Sequence, residues 1–125
     1  MTKILFIEDE EALQRAMGDA LTSKGYTLIK ALDGEIGLAT ALKEQPDLIL
    51  LDLILPKKNG FEVLGGLKKD PATKNIPVMV LTNLEGSNDV EQALSLGATT
   101  YLVKANYNLE DVLGKIERVL NHHGK

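Results

Sequence analysis

The chain has 125 residues, of which 44% are hydrophobic and 26% charged, and a formal net charge of -4 at pH 7. That is the length of one domain, residues 1–125, with no room for a second folded output domain, and the composition is that of a soluble globular protein rather than a disordered, collagen-like or membrane-embedded one. The acidic balance argues against direct nucleic-acid binding, which draws on clustered basic side chains, so Lys57, Lys58, Lys68 and Lys69 read as solvated charges. The lack of cysteine excludes a disulfide framework and thiolate metal sites. Met1-Thr2-Lys3 leads into the first apolar run without a cleavable leader, and no run approaches the roughly 20 apolar residues of a membrane span. A cytoplasmic location is therefore expected.

Ile4 to Ile7 is a continuous apolar run, and from about Ala12 the period changes, with Leu13, Met17, Ala20 and Leu21 on one helical face and Lys24-Gly25 as its stop. Tyr26 to Ala31 reads as a strand. After Asp33-Gly34, the stripe Ile36, Ala39 and Leu42 predicts a helix that ends before Pro46. Leu48 to Leu51 is the next strand, and Phe61, Leu64 and Leu67 predict a third helix followed by a polar loop over Asp70 to Asn75. Ile76 to Leu81 is again strand, and Val90, Ala93 and Leu94 mark a weakly apolar helix ending at Gly97. Tyr101 to Val103 is the last strand. Leu109, Val112, Leu113, Ile116, Val119 and Leu120 pattern a final helix with Asn108 as N-cap, and Asn121 to Lys125 reads as a polar tail. Met17 and Met79 are expected in the core.

Five strands separated by helices require right-handed parallel crossovers, giving an α/β, doubly wound, five-stranded parallel sheet with five helices in three layers. Strands of such a sheet are buried on both faces and nearly all apolar, and ligands bind beyond their carboxyl ends. At those ends the chain places Glu8 and Asp9, Asp52, Thr82 and Lys104. Singly, each has a plainer role: Asp9 at a helix start, Asp52 in a turn, Thr82 bonded to its own loop, Lys104 solvated. Jointly they form a set.

Clustered carboxylates raise each other's pKa unless a cation intervenes, and hard oxygen ligands favour Mg²⁺ over zinc, which would draw on histidine or cysteine. A phosphoryl group repels an attacking carboxylate, so an Asp nucleophile needs that metal and a fixed cation such as Lys104. Thr82 supplies a hydroxyl donor for a phosphoryl oxygen, and loop amides after it, beginning with Asn83, supply more.

With these residues in place the chain resembles, over its whole length, a bacterial response regulator receiver domain of the single-domain chemotaxis type. The matching motifs are Lys3-Ile-Leu-Phe-Ile-Glu-Asp-Glu10, Asp52-Leu-Ile-Leu-Pro56 with Gly60, Thr82, and Tyr101-Leu-Val-Lys104. The resemblance implies the flavodoxin-like strand order 2-1-3-4-5. It implies Asp52 as phosphoacceptor, charged by a sensor histidine kinase, a phosphotransfer protein or a small donor such as acetyl phosphate. Asp9, Asp52 and the backbone carbonyl of Ile54 would hold Mg²⁺, with Glu8 acting through water. Lys104, Thr82 and the Asn83 amide would hold the phosphoryl group. Thr82 and Tyr101 would switch a protein-binding face made by the fourth helix, last strand and last helix, toward an unidentified protein target or a second copy in a dimer. Without the resemblance, Tyr101 reads equally as a surface-packed strand aromatic.

The chain departs from the family at Ala105, where proline usually follows the lysine through a cis bond. A non-proline cis bond costs roughly 3 kcal/mol, so either a trans, rearranged loop or a strained cis peptide is expected. Asn83 replaces a small residue, and apolar Ile54 and Leu84 predict slow loss of phosphate. Competing readings are a phosphorylation-independent scaffold and a Mg²⁺-dependent phosphohydrolase of haloacid dehalogenase type. The phosphohydrolase would need Asp-x-Asp where the chain has Glu8-Asp9-Glu10. A flavin phosphate would be repelled by the same acids. A self-phosphorylating signalling module, not a turnover enzyme, is the expectation.

Overall fold

The computed structural model describes residues 2–123, and for His123 the backbone only. Strands β1 (Lys3–Ile7), β2 (Thr27–Ala31), β3 (Leu48–Leu51), β4 (Val78–Thr82) and β5 (Thr100–Val103) alternate with helices α1 (Glu11–Ser23), α2 (Gly34–Glu44), α3 (Gly60–Lys69), α4 (Ser87–Ser95) and α5 (Leu109–His123). The strands form one parallel sheet in the order β2-β1-β3-β4-β5. This is the doubly wound topology expected from the alternation of apolar runs and helical stripes.

Each strand sends alternate side chains to opposite faces, and each face is covered by its own helices. Leu5, Ile7, Ile49, Leu51, Val78 and Val80 pack with Ala41 of α2, Val63, Leu64 and Leu67 of α3 and Ala93 of α4. Ile4, Phe6, Leu48, Leu50, Met79, Leu81 and Leu102 pack with Met17 and Leu21 of α1 and Val112, Leu113 and Ile116 of α5. Met17 and Met79 are fully buried, as expected. Full burial of each such large side chain contributes about 1.5–3 kcal/mol, so the two clusters hold the helical layers onto the two faces of the sheet.

Local signals set the ends. The Asp33 carboxylate accepts the Ile36 amide and caps α2, Asn59 and Glu62 form a reciprocal capping box on α3, and Asn108 and Asp111 do the same on α5. Gly25 and Gly97 take the left-handed conformation at φ 88° and 111° that ends α1 and α4 cheaply.

Four expectations are corrected. The α2 stripe faces the solvent: Ile36 is 51% and Leu42 41% exposed, and Ala39 is exposed too. The helix instead buries Gly34, Gly37 and Ala41, because it lies so close to β1 that a Cβ on Gly37 would meet the Ile7 side chain at 2.7 Å. Strand β4 runs over Val78–Thr82, shifted toward the carboxyl end from the expected Ile76 to Leu81. Lys68 is not a free surface charge, since its ammonium donates to the carbonyls of Lys74 (3.1 Å) and Ile76 (2.7 Å), and burial lowers its pKa. The polar tail begins inside α5, which runs to His123; Gly124 and Lys125, like Met1 at the start, lie outside the described residues.

Candidate functional site

Because the strands are parallel and closely in register, with Ile7 opposite Leu51 and Thr82 opposite Val103, their carboxyl ends form one edge. β1 hydrogen-bonds to both β2 and β3, so the chain reverses its winding there and opens a crevice beyond Ile7 and Leu51. Glu8 and Asp9 follow β1, Asp52 follows β3, Thr82 ends β4 and Lys104 follows β5.

Glu8, Asp9 and Asp52 each bring a carboxylate oxygen to within 4.8 Å of the others; Glu8 and Asp52 are buried and Asp9 is exposed. The Lys104 ammonium bridges two of them, 2.6 Å from Glu8 Oε1 and 3.0 Å from Asp52 Oδ2. Its approach to Glu8 is that of an ion pair lying off the hydrogen-bond direction, whereas it donates a hydrogen bond to Asp52. Asp52 Oδ1 accepts the Ile54 amide at 3.2 Å, and Glu8 Oε2 accepts the Glu10 amide at 3.1 Å.

Thr82 is fully buried, and its hydroxyl oxygen lies 3.5 Å from the Leu84 amide that donates to it. The half-buried Tyr101 donates its phenolic hydrogen to the Leu84 carbonyl at 2.8 Å, so the β4–α4 loop is held by both residues. Ile54 points outward at 56% exposure, and Asn83 is exposed.

Ala105 lies in a single 3-10 turn, Lys104–Asn106, and no peptide bond among the described residues is cis. Of the two geometries expected at this departure the trans one is found, and the lysine still reaches both carboxylates. Gly60 completes the floor: its amide donates to the Leu53 carbonyl at 2.9 Å, and a Cβ there would collide with the Leu53 Cα. Gly60→Ala should cost about 1–3 kcal/mol by forcing the loop after Asp52 to shift. A thermal melt unchanged from wild type would refute that close approach.

Burial raises the Glu8 carboxyl to about pKa 7, with the Asp52 charge adding to the rise and Lys104 and the Glu10 amide opposing it. Burial alone would lower Lys104, but its two carboxylate partners outweigh that and leave its pKa raised. Between the free value of 4.5 and about 7 the folded protein keeps a proton that the unfolded chain has released. This contribution to stability is complete below the lower value and is lost as pH rises through the higher. In metal-free buffer, stability should therefore fall by on the order of 1–3 kcal/mol from about pH 5 to about pH 8, and Glu8→Gln should flatten that slope. Melting curves across the range check it.

The sequence reading missed Gln14, which is 1% exposed on α1 beneath the β1–α1 turn and donates from Nε2 to the Phe6 carbonyl at 2.7 Å. Its signal was its place in line with Met17 and Leu21, three and seven residues on, as a polar residue on a buried stripe.

The donor set is anionic, all oxygen and partly open, which fits a hard divalent cation such as Mg²⁺. Fold and crevice define a flavodoxin-like α/β domain with an acidic site at the carboxyl edge of its sheet. Residues 4–117 match the family model of the response regulator receiver domain. The chain is 40% identical over 120 residues to the DNA-binding dual master transcriptional regulator RpaA of a Synechocystis strain, an alignment covering 96% of this chain and 49% of RpaA. It superposes with TM-score 0.93 on a CheY-like receiver domain protein of Methanospirillum hungatei, with 27% identity and coverage of 99% and 97% of the two chains. It also superposes with TM-score 0.78 on the Mn²⁺-bound form of response regulator Rcp1, with 36% identity and coverage of 95% and 91%. The chain belongs to the receiver domains of two-component response regulators. It spans about half or less of the length of the curated relatives it matches. Among the described residues no helix is long and apolar enough to cross a membrane.

Proposed function

We propose that this domain takes a phosphoryl group onto Asp52 from a phosphohistidine of a sensor histidine kinase or phosphotransfer protein, and thereby switches a protein-binding face. The observation that carries the reading is the Lys104 ammonium held against both Glu8 and Asp52. A fixed cation beside a carboxylate is what nucleophilic attack on an anionic phosphoryl group requires.

In the step itself a carboxylate oxygen of Asp52 forms a bond to phosphorus as the bond from phosphorus to the donor imidazole nitrogen breaks, and the imidazole leaves with the bonding pair. Asp9, Asp52 and the Ile54 carbonyl would hold Mg²⁺, with Glu8 acting through water, and the metal-bound form of Rcp1 supports a divalent ion in this fold. When bound, the ion supplies neutralisation of the phosphoryl oxygens. Lys104 turns toward the new dianion, the Thr82 hydroxyl and the Asn83 amide donate to its oxygens, and Thr82 draws on the loop that Tyr101 grips through Leu84. That movement would reshape α4, β5 and α5, the face for an effector protein or for a dimer. A cytoplasmic setting and a protein rather than a nucleic-acid target go with this role.

Incubation with acetyl phosphate and Mg²⁺ tests it by intact mass. One phosphoryl group per chain and no sustained release of inorganic phosphate are expected. Repeated turnover would favour the phosphohydrolase, and no uptake with unchanged partner binding would favour the scaffold. With exposed Ile54 and half-buried Leu84 offering no polar group to a hydrolytic water, the phosphorylated form should persist for minutes or longer. A half-life of seconds in Mg²⁺ would contradict this.

A further inference from the structure

The β1–α1 turn must place the carboxylates of two successive residues, buried Glu8 and exposed Asp9, in one cluster with that of Asp52. Buried beneath it, the Gln14 carboxamide donates from one nitrogen toward three backbone carbonyls, those of Phe6 at 2.7 Å, Glu8 at 3.1 Å and Ala31 at 3.3 Å. Three acceptors at these distances require the nitrogen, not the oxygen, to face the turn. The Ala31 carbonyl also accepts the Glu8 amide at 2.9 Å, and the Gln14 backbone amide donates to the Glu10 carbonyl at 3.1 Å. Both flanks of Asp9 are thus tied to one helical residue.

The other half of the carboxamide is telling. Gln14 Oε1 is buried without a hydrogen-bond partner among the described residues. An unpaired polar atom in an apolar interior is destabilising, so the core by itself favours methionine or leucine here, as at Met17 and Leu21 on the same stripe. What the amide supplies instead is order in the metal-facing turn.

We infer that Gln14 is a positioning residue for the divalent-cation site, fixing the Glu8–Asp9 peptide by clasping its carbonyl so that both carboxylates stay aimed into the crevice. This rests on the reading of the acidic crevice as a Mg²⁺ site. Groups that orient ligands in this way typically govern metal affinity by 10- to 100-fold.

Isothermal titration with Mg²⁺ at fixed pH tests it. Gln14→Met keeps size and removes the donor, and its Kd for Mg²⁺ should rise by about tenfold. The Mg²⁺ concentration for half-maximal labelling by acetyl phosphate should rise in parallel, with the rate at saturating Mg²⁺ retained. Gln14→Arg, which restores donors, should return the Kd close to wild type. In the wild-type protein, independently of any variant, the Gln14 side-chain amide resonances should shift in step with Mg²⁺ occupancy. A Met variant with altered melting but unchanged Kd, or wild-type amide resonances that ignore Mg²⁺, would overturn the inference alone. A wild-type chain that binds no Mg²⁺ would overturn the crevice reading along with it.

Discussion

Asp52→Asn should eliminate phosphoryl uptake from acetyl phosphate while leaving the domain folded. Asparagine has nearly the same shape, and its side-chain oxygen can still accept the Ile54 amide that Asp52 Oδ1 accepts at 3.2 Å. The buried position is therefore refilled without a cavity. What disappears is the anion: a neutral carboxamide is a poor nucleophile, and Lys104 loses one of its two carboxylate partners. The neighbouring acid should respond as well. The Asp52 charge is among the causes that raise Glu8, so in the variant Glu8 should titrate lower and the metal-free protein should lose less stability at high pH. Intact mass spectrometry and melting curves read both effects. A variant that still gains a phosphoryl group would place the acceptor elsewhere.

Lys104→Met should damage both stability and chemistry, in separable ways. The ammonium contacts a Glu8 side chain that is 1% exposed and is itself 17% exposed, so its removal leaves two carboxylates facing each other in a poorly solvated crevice. Stripping one partner from a fully buried pair costs about 3–5 kcal/mol; partial exposure and protonation of Glu8 reduce that here to about 1–3 kcal/mol in metal-free buffer near neutral pH. Mg²⁺ should restore much of the loss by supplying the missing positive charge. It should not restore the reaction. A fixed cation at the developing charge typically contributes 10²- to 10³-fold, so labelling at saturating Mg²⁺ should remain slower by about that factor. Stability measured with and without Mg²⁺, alongside labelling rates, separates the two roles. A variant labelled at the wild-type rate would remove Lys104 from the chemistry.

How much of this was legible in the residues follows from which forces act locally. The strands were readable because a parallel sheet buried on both faces leaves continuous apolar runs, and the polar residue ending each run marks the sheet edge. That fixed which side chains meet at the crevice. The α2 face was misread because hydrophobicity points to Ile36 and Leu42, whereas close approach to β1 is decided by the absence of side chains at Gly34 and Gly37. Gln14 was missed because its role depends on carbonyls from β1 and β2 that only the folded chain brings to it. At Ala105 the sequence narrowed the backbone to two geometries, and the trans turn that lets Lys104 reach Glu8 as well as Asp52 is a tertiary outcome. The pairing of Lys68 with two carbonyls is of the same kind.

The most direct test is to locate the covalent bond. After treatment with acetyl phosphate, borohydride reduces an aspartyl phosphate to homoserine, which peptide mass spectrometry assigns to a position. Homoserine at position 52 alone, formed when Mg²⁺ is present during the acetyl phosphate treatment and not formed when a chelator is present throughout, is the predicted result. Label on another residue, or at position 52 regardless of divalent metal, would contradict the account.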